Sequence, residues 1–298
     1  ICVGNLAVGG TGKTPMAEYL ITLLSANYKV ALLSRGYGRK TRGFRLANEH
    51  DTAQTIGDEP MQIHCRFPNL PVAVCADRVK GVKTLQHLFP DLQCIILDDA
   101  YQHRSLHCGF YILLTPYDCL YTNDHLLPWG RLRDLPNQSH RANVIVVTKC
   151  PTNMKPIDRR IVSNSLHLAS YQHLFYSSIQ YTSLSISTVP LVVTGIANPQ
   201  PLLQHIQQQY PQAELMAFPD HHAFTQKDIN QILQRAEKYE CVVTTEKDYM
   251  RLQQTNIMEQ LAHKLHVVSI ETFFGIDQAS FNREILLYVS ENNRKKNL

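Results

Sequence analysis

The chain has 298 residues, of which 44% are hydrophobic, so it is long enough for one large or two medium domains with buried cores. Its net charge of +4 is too small to indicate nucleic-acid binding by itself, and nothing in it is apolar for long enough to be predicted to span a membrane. The eight cysteines include no C-x-x-C pair, which favours a reduced, cytosolic chain over a disulfide framework.

The chain opens inside an apolar segment, Ile1-Cys2-Val3, without an initiator Met. This start predicts a fragment, or a chain whose leader was removed. An N-terminal membrane anchor would then lie outside the sequence.

A glycine-rich loop follows this apolar start and precedes a helical pattern. Its residues are Ala7, Val8, Gly9, Gly10, Thr11, Gly12, Lys13 and Thr14. The loop fits the phosphate-binding pattern G-x-x-x-x-G-K-[ST], except that Ala7 stands where the first glycine belongs. In such a P-loop the backbone amides cradle phosphates, Lys13 reaches the β- and γ-phosphates, and Thr14 holds Mg²⁺. A chance glycine-rich turn is the alternative.

Short apolar runs alternate with helical patterns through the first part of the chain. Strands are predicted at 29–34, 71–76, 93–97, 110–114, 143–148 and 173–181, and helices at 78–88 and 156–166. Near-continuous apolar strands separated by helices indicate a parallel sheet covered on both faces.

A Ser/Thr-rich run at 182–188 predicts a domain junction or a hairpin. Beyond it, strands are predicted at 191–195, 213–218, 241–245 and 265–270, helices at 199–209 and 226–239, and a frayed, solvated tail at 292–297. The predicted fold class is therefore α/β, with a P-loop NTPase-type parallel-sheet domain over 1–184 and a second, smaller α/β domain over 185–298.

Two pairs of acidic residues are candidates for chemistry. Asp98 and Asp99 end the apolar run at 94–97, where a Walker-B carboxylate would lie near the Mg²⁺ of a P-loop. A helix cap or a turn is the alternative for both. Asp58 and Glu59 precede Pro60, so Asp58 suits either a helix cap or a general base that accepts the proton of a hydroxyl group.

Two loops mix basic residues with glycines or apolar residues. Arg35 lies in the loop 34–43, which is either solvated or anion-binding, and its position after a strand beside the P-loop favours anion binding. Arg133 and the only tryptophan, Trp129, lie in the segment 126–134. That segment suits an amphipathic, anionic substrate, or it is an ordinary surface loop pinned by a half-buried Trp.

The second half offers two further polar motifs. His221 and His222 follow a predicted strand, where one of them could relay a proton, although adjacent histidines are a poor pair of metal ligands. The segment 244–248 is either a helix cap with solvated charges or the polar lining of a cleft.

Taken in order, these motifs resemble the tetraacyldisaccharide 4'-kinase family, the lipid A 4'-kinases of Gram-negative bacteria. The matching stretches are 3–5 with 8–15, 34–38, 57–60, 77–78, 98–99 with 102–103, 127–128 with 130 and 132–134, 218–221, and 245–248. They cover nearly the whole chain, and eight motifs in the same order are far more specific than any one of them.

The resemblance implies transfer of the γ-phosphoryl group of ATP to the 4'-hydroxyl of a tetraacylated glucosamine disaccharide 1-phosphate, which gives lipid IVA in lipid A biosynthesis. It implies ATP and Mg²⁺ as cofactors, a site between the two domains, and work at the cytoplasmic face of the inner membrane. The resemblance also implies an N-terminal hydrophobic helix before the P-loop strand, and a sequence that begins at that strand fits the prediction of a fragment. Neither a nucleic-acid partner nor an obligate protein partner is expected.

The resemblance also assigns roles to residues. It makes Asp58 the base and His221 its dyad partner, and it leaves Lys13 and Thr14 in their P-loop roles. Acids on the Mg²⁺ side would be Asp98 and Asp99, and contacts to substrate or transferring phosphate would be Arg35 and Arg133.

Two departures from the family pattern leave the role of the loop around Arg133 open. Asp134 stands where the family usually has Glu, and Arg131 where it often has Pro. The rival hypothesis is a P-loop switch or chaperone NTPase, which would have no need of a pair formed by Asp58 and His221.

Overall fold

The computed structural model describes residues 1–220, 222–253 and 255–296. The chain forms two compact units. The first contains Ile1–Gln180 together with the segment from Thr272 onward, and the second is Tyr181–Glu271.

The first unit is built on an eight-stranded sheet. Its strands are β1 (Cys2–Asn5), β2 (Val30–Ser34), β3 (Arg45–Leu46), β4 (Val72–Val74), β5 (Cys94–Asp98), β6 (Tyr111–Pro116), β7 (Val144–Thr148) and β8 (His173–Tyr176). They lie in the order β3-β4-β2-β5-β1-β6-β7-β8, and only β3 runs antiparallel to its neighbour. The helices of this unit are α1 (Lys13–Ser25), α2 (Ala53–Ile56), α3 (Asp58–Arg66), α4 (Arg78–Leu88), α5 (Pro156–Ser165) and, at the end of the chain, α10 (Gln278–Lys296).

The central strands are buried on both faces, because successive side chains point into different apolar clusters. In β7, Ile145 and Val147 belong to one cluster, whereas Val144 and Val146 belong to the other. Each such side chain stabilises the fold by about 1.5–3 kcal/mol on burial. A mostly parallel sheet covered on both faces confirms the predicted α/β class.

The helix α10 corrects the predicted domain boundary. Its side chains Phe281, Ile285 and Val289 recur every four residues and are buried in the same cluster as Met16 and Leu20 of α1. The segment from Thr272 onward therefore belongs to the first unit, not to a second domain over 185–298. The predicted frayed tail at 292–297 is also corrected, because α10 is helical to Lys296; residue 297 lies outside the described residues.

The second unit has its own four-stranded sheet. Its strands β10 (Pro190–Thr194), β11 (Glu214–Ala217), β12 (Cys241–Thr245) and β13 (Leu265–Val268) are parallel in the order β11-β10-β12-β13. Its helices are α6 (Gln200–Gln209), α7 (Gln226–Ala236), α8 (Glu246–Leu252) and α9 (Ile257–Leu261).

The strand predicted at 173–181 is two strands in different sheets. The first half is β8 of the large sheet, and the second half is β9 (Ser178–Tyr181), which pairs with β14 (Ile270–Phe273) in a two-stranded sheet. The chain passes from one unit to the other within these two short strands. None of the helices among the described residues has both the length and the apolar character needed to cross a membrane.

Candidate active site

The glycine-rich loop connects β1 directly to α1 and is held from both sides. Gly9 and Gly12 have φ values of 102° and 89°, in the left-handed region that glycine adopts without strain. The Thr11 hydroxyl accepts a hydrogen bond from Nδ2 of Asn5 at 2.7 Å, and its carbonyl accepts one from Oγ1 of Thr148 at 2.8 Å. The loop is therefore a fixed turn that ends at a helix N-terminus, the geometry that suits an anion.

Lys13 and Thr14 begin α1, next to the acidic end of β5. Nζ of Lys13 lies 4.0 Å from Oδ1 of Asp99, and Thr14 is buried. Asp98 is buried at the end of β5, where Oγ of Ser34 donates to its Oδ2 at 3.2 Å. Its other oxygen, Oδ1, is buried without a hydrogen-bond partner.

The charge of Asp98 is poorly compensated by its surroundings. Burial, with the negative charges of Glu59 and Asp99, raises the pKa of Asp98 to about 7, although Lys13 and Ser34 act in the opposite direction. A divalent cation beside Oδ1 would supply both the missing partner and the missing charge.

The donor set therefore fits Mg²⁺ that shares its ligands with a nucleotide. The residues that would hold it are Asp98 and the Thr14 hydroxyl, since one or two protein oxygens are usual when phosphates and waters supply the other ligands. Among the described residues there is no group of three or more His, Cys, Asp or Glu side chains that could hold a metal by itself.

Asp99 is paired with an arginine that is distant in sequence. Its backbone lies in the left-handed region with φ of 47°, and both carboxylate oxygens accept hydrogen bonds from the guanidinium of Arg133. Burial pushes the pKa of Asp99 upward, but the Arg133 hydrogen bonds and the charges of Lys13, Arg133 and Arg78 outweigh it, so the pKa is lowered. Asp99 is therefore held as a carboxylate. Arg133 also donates to Oδ1 of Asn5, so one guanidinium joins β5 to β1.

The segment that carries Arg133 runs beside the P-loop. The Val8 amide donates to the carbonyl of Arg131 at 2.8 Å, and the Arg133 amide donates to the carbonyl of Leu6 at 2.8 Å. These backbone bonds explain why a side chain 120 residues after Lys13 in the chain reaches the same site.

Arg78 is a site residue to which the sequence analysis gave no role. It is buried at the start of α4 and donates to the carbonyls of Ala76 at 2.9 Å and Asp99 at 3.2 Å. Burial, followed by the charge of the exposed Arg35, lowers its pKa. The charge of Arg35 is therefore near enough to act on Arg78, and Arg78 contacts the backbone of Asp99. The signal for Arg78 in the sequence was the matching stretch at 77–78. Its burial supports a specific role, because arginine is rarely fully buried unless it is paired.

Asp58 is the first residue of α3, and the cap position before it belongs to Gly57. The prediction that Asp58 is the cap residue is therefore wrong, and its carboxylate lies in the first turn of the helix instead. A Cβ on Gly57 would lie 2.9 Å from the carbonyl oxygen of Tyr37, so glycine permits the loop 34–43 to pack against this helix end. The negative charge of Glu59 contributes to the raised pKa of Asp98, so the start of α3 lies near the end of β5.

Lys149, immediately after β7, is a second residue that had no role in the sequence analysis. Its backbone φ is 58°, and its Nζ would lie 3.9 Å from a Cβ built on Gly10. Lys149 thus adds a positive charge at the P-loop. The sequence signal for this role was the position of Lys149 directly after the strand predicted at 143–148.

The histidine motif of the second unit is described only in part, because His221 lies outside the described residues. Nε2 of His222 lies 2.9 Å from Oδ2 of Asp228, and its ring stacks on Phe218 at 5.2 Å between centroids. His222 is therefore anchored to the start of α7 within its own unit.

Asp248 is buried inside the second unit, so the prediction of solvated charges at 244–248 is wrong for this residue. Its Oδ2 accepts hydrogen bonds from Oγ1 of Thr194 at 2.7 Å and the amide of Gly195 at 2.9 Å. Its Oδ1 accepts one from Arg251 at 3.1 Å. Asp248 joins β10 to α8 and is a structural residue of this unit.

A P-loop between an interior parallel strand and its helix, with a buried carboxylate at the end of the adjacent strand, defines a P-loop nucleotide-binding protein. A sequence model of the family described as "Tetraacyldisaccharide-1-P 4'-kinase" matches residues 1–290. The chain belongs to this tetraacyldisaccharide 4'-kinase family.

Individual relatives agree with this assignment. The chain is 42% identical to a tetraacyldisaccharide 4'-kinase of Bacteroides thetaiotaomicron, over 99% of this chain and 85% of that protein. It is 42% identical to the protein of the same name from Flavobacterium johnsoniae, over 98% of this chain and 87% of that one. In fold it is similar to the crystal structure of LpxK from Aquifex aeolicus in complex with ATP, with a TM-score of 0.72, 24% identity, and coverage of 97% of this chain and 87% of that one.

Proposed function

We propose that this protein transfers the γ-phosphoryl group of ATP to the 4'-hydroxyl of tetraacyldisaccharide 1-phosphate, which yields lipid IVA in lipid A biosynthesis. The observation that carries the proposal is the P-loop lysine beside two strand-end carboxylates, one of which has a buried oxygen without a hydrogen-bond partner. Relatives that carry the name of this kinase, matched over 85% and 87% of their length, support the choice of substrate.

The proposed donor half of the site binds the nucleotide. Loop amides from Ala7 to Gly12 and the ammonium of Lys13 hold the phosphates of ATP, and Lys149 adds charge beside Gly10. Thr14 and Asp98 would hold Mg²⁺, which when bound neutralises charge on the phosphates.

Asp99 is proposed to act mainly through Arg133. Both of its carboxylate oxygens accept hydrogen bonds from that guanidinium, so Asp98 suits a metal better than Asp99 does. Asp99 keeps Arg133 directed at the P-loop, where a guanidinium can stabilise charge on the transferring phosphoryl group.

The proposed acceptor half is built around Asp58. Asp58 is the first residue of α3, and a carboxylate at this position can orient the sugar hydroxyl and accept its proton. His221 is proposed to assist Asp58, and the exposed Arg35 to contact an anionic group of the substrate.

We place this reaction at the cytoplasmic face of the inner membrane. The proposed acceptor is an acylated lipid that resides in a bilayer, whereas the proposed donor, ATP, is a water-soluble nucleotide of the cytoplasm. The enzyme therefore has to work at the membrane surface.

The direct test is an assay with γ-labelled ATP, Mg²⁺ and tetraacyldisaccharide 1-phosphate in detergent micelles. The proposal expects label in the lipid, and no label with Lys13→Ala. ATP hydrolysis without labelled lipid would contradict the proposal and favour a switch or chaperone NTPase.

The role of Asp58 has its own test. Asp58→Asn is expected to reduce phosphoryl transfer at least about a hundredfold, since general-base catalysis contributes that much, while nucleotide affinity is unchanged. Asp118→Asn, at an exposed turn of the same unit, is the matched control and should retain full activity. Loss of ATP binding in Asp58→Asn would instead place this carboxylate on the donor side.

A further inference from the structure

The segment 124–132, named here the Trp129 turn, displays large apolar side chains to solvent. Trp129 is 91% exposed, Leu127 is 53% exposed and Leu126 is 40% exposed. This contradicts the predicted half-buried Trp that would pin a surface loop. Within the described part of the chain, the indole ring makes no ring contact and its N–H donates no hydrogen bond to the protein.

The backbone of this turn is tightly hydrogen-bonded, so the exposure does not come from a loose loop. The Leu132 amide donates to the carbonyl of His125 at 2.9 Å, and the Leu127 amide donates to the carbonyl of Leu132 at 2.9 Å. The amides of Trp129 and Gly130 both donate to the carbonyl of Leu126, at 3.0 and 3.2 Å. The apolar side chains are thus held outward by an ordered scaffold.

Asp124 closes the base of the turn. Its Oδ1 accepts hydrogen bonds from the amides of His125 at 2.8 Å and Arg131 at 3.1 Å. A Cβ on Gly130 would lie 2.4 Å from the same oxygen, so only glycine fits there. A conformation fixed by a mostly buried carboxylate and an obligatory glycine holds Leu127 and Trp129 in one orientation.

The charges that face solvent around the turn are positive. The side chains of Arg131 and Arg104 are 56% and 64% exposed, whereas those of Asp124 and Asp134 are only 10% and 12% exposed and are each paired with an arginine. Apolar side chains flanked by exposed cations suit a surface that is anionic outside and apolar beneath, such as the headgroup region of an acidic phospholipid bilayer.

The turn is continuous with the P-loop. Ala7 and Leu132 form an antiparallel β-bridge. The amide of Val8, a residue that is 42% exposed, donates a hydrogen bond to the carbonyl of Arg131. A bilayer contacting the Trp129 turn would therefore lie beside the phosphate-binding loop. An amphipathic acceptor could then reach the site while its acyl chains stay in the membrane.

We propose that the Trp129 turn is a membrane-docking surface that inserts Leu127 and Trp129 into the headgroup region of an anionic phospholipid bilayer. The inference rests on the proposed lipid kinase function and names the surface through which that function meets its substrate. Insertion of a Trp and a Leu into the interface, with Arg131 near the lipid phosphates, is the anchoring mode of peripheral proteins.

The indole of Trp129 is itself the reporter, because the chain has no other tryptophan. Full-length protein is mixed with vesicles of phosphatidylethanolamine and phosphatidylglycerol. The emission is expected to shift to shorter wavelength and to become protected from acrylamide quenching. Unchanged emission while the protein sediments with the vesicles would overturn the proposal. So would a shift that depends on protein concentration without lipid, because it would indicate a second copy of the chain.

Leu127→Ser keeps the reporter and tests the energetics. Vesicle affinity is expected to fall about tenfold or more, since the variant has no leucine side chain to bury in the bilayer. Leu88→Ser, at the end of α4 with a side chain 48% exposed, is the matched control and should bind like the parent protein. Equal affinities for all three proteins would refute docking through this turn.

Activity measurements separate docking from catalysis and from misfolding. Trp129→Ser and Leu127→Ser are expected to lose activity on substrate embedded in vesicles and to retain it on substrate in detergent micelles. Retention in detergent shows that the variants are folded. If the protein labels lipid in micelles but the Trp129 emission does not change with vesicles, only the docking proposal is contradicted. If the protein docks on vesicles but never labels lipid, only the kinase proposal is contradicted.

Discussion

The surroundings of Asp98 disfavour its negative charge. It is buried, it lies near Glu59 and Asp99, and one of its oxygens has no hydrogen-bond partner. Such a site is costly in the ligand-free protein and becomes favourable only when a cation is present. The same feature that supports a metal role therefore has a consequence for stability.

The pKa of Asp98 is raised from 3.8 to about 7, so between these pH values the folded protein binds more protons than the unfolded chain. The contribution of Asp98 to stability therefore falls as pH rises through this window. Asp98→Asn is expected to raise the Tm of the ligand-free protein by several degrees at about pH 8, with a gain that shrinks toward about pH 4.

The measurement for Asp98→Asn is thermal unfolding followed by circular dichroism without nucleotide or metal across this pH range. The matched control is Asp118→Asn, where the parent side chain is exposed and the Tm should be unchanged. A lower Tm for Asp98→Asn at about pH 8 would contradict an uncompensated charge at this position. Phosphoryl transfer should be lost in Asp98→Asn and retained in the control.

At the scale of elements, one buried glutamate joins the P-loop helix to the helix that carries Asp58. Glu18 of α1 accepts a hydrogen bond from Nε2 of Gln62 at 2.9 Å and forms an ion pair with Arg66 at 2.9 Å, both in α3. Because Lys13 starts α1 and Asp58 starts α3, this contact fixes the spacing between the proposed donor and acceptor groups.

Glu18→Ala is expected to destabilise the first unit by about 3 kcal/mol, because it breaks a mostly buried ion pair and leaves Gln62 and Arg66 without this acceptor. Urea denaturation measures the change. Glu49→Ala is the matched control, because that carboxylate is 85% exposed, and it should change the free energy of unfolding by less than about 0.5 kcal/mol. Similar values for the two variants would show that the α1–α3 contact is not important for stability.

At the scale of the whole molecule, the first unit is discontinuous in sequence. It is completed by α10, whose Phe281 is fully buried and stacks on Phe274 with ring centroids 4.1 Å apart. The intervening residues Tyr181–Glu271 form a unit with a sheet and apolar clusters of its own. The second unit is thus inserted into the first, and the C-terminal helix is part of the nucleotide-binding core.

Phe281→Ala is expected to destabilise the first unit by about 3–5 kcal/mol, because it leaves a cavity against α1. Leu287→Ala on the same helix removes a side chain that is 46% exposed and should cost less than about 1 kcal/mol. Hydrogen exchange should show faster exchange in β1 and β6 of the Phe281→Ala protein. Faster exchange only in β10 and β12 would instead assign α10 to the second unit.

The sequence by itself determined the features that depend on neighbouring residues. The P-loop could be predicted because glycines, Lys13 and Thr14 are adjacent in the chain and their spacing alone defines the turn. The strand predicted at 29–34 is β2 (Val30–Ser34), because a continuous apolar run between polar segments indicates a buried parallel strand. The α/β class followed from the alternation of such runs with helices.

Only the tertiary structure decided which distant residues meet. Arg133 contacts Asp99 because the Trp129 turn runs beside the P-loop. Asp98 is shielded from solvent because β5 lies inside the sheet. Likewise α10 belongs to the first unit because Phe281 and its neighbours pack on α1. Each of these outcomes depends on burial and contact between segments far apart in the chain, and local spacing carries no information about such contacts.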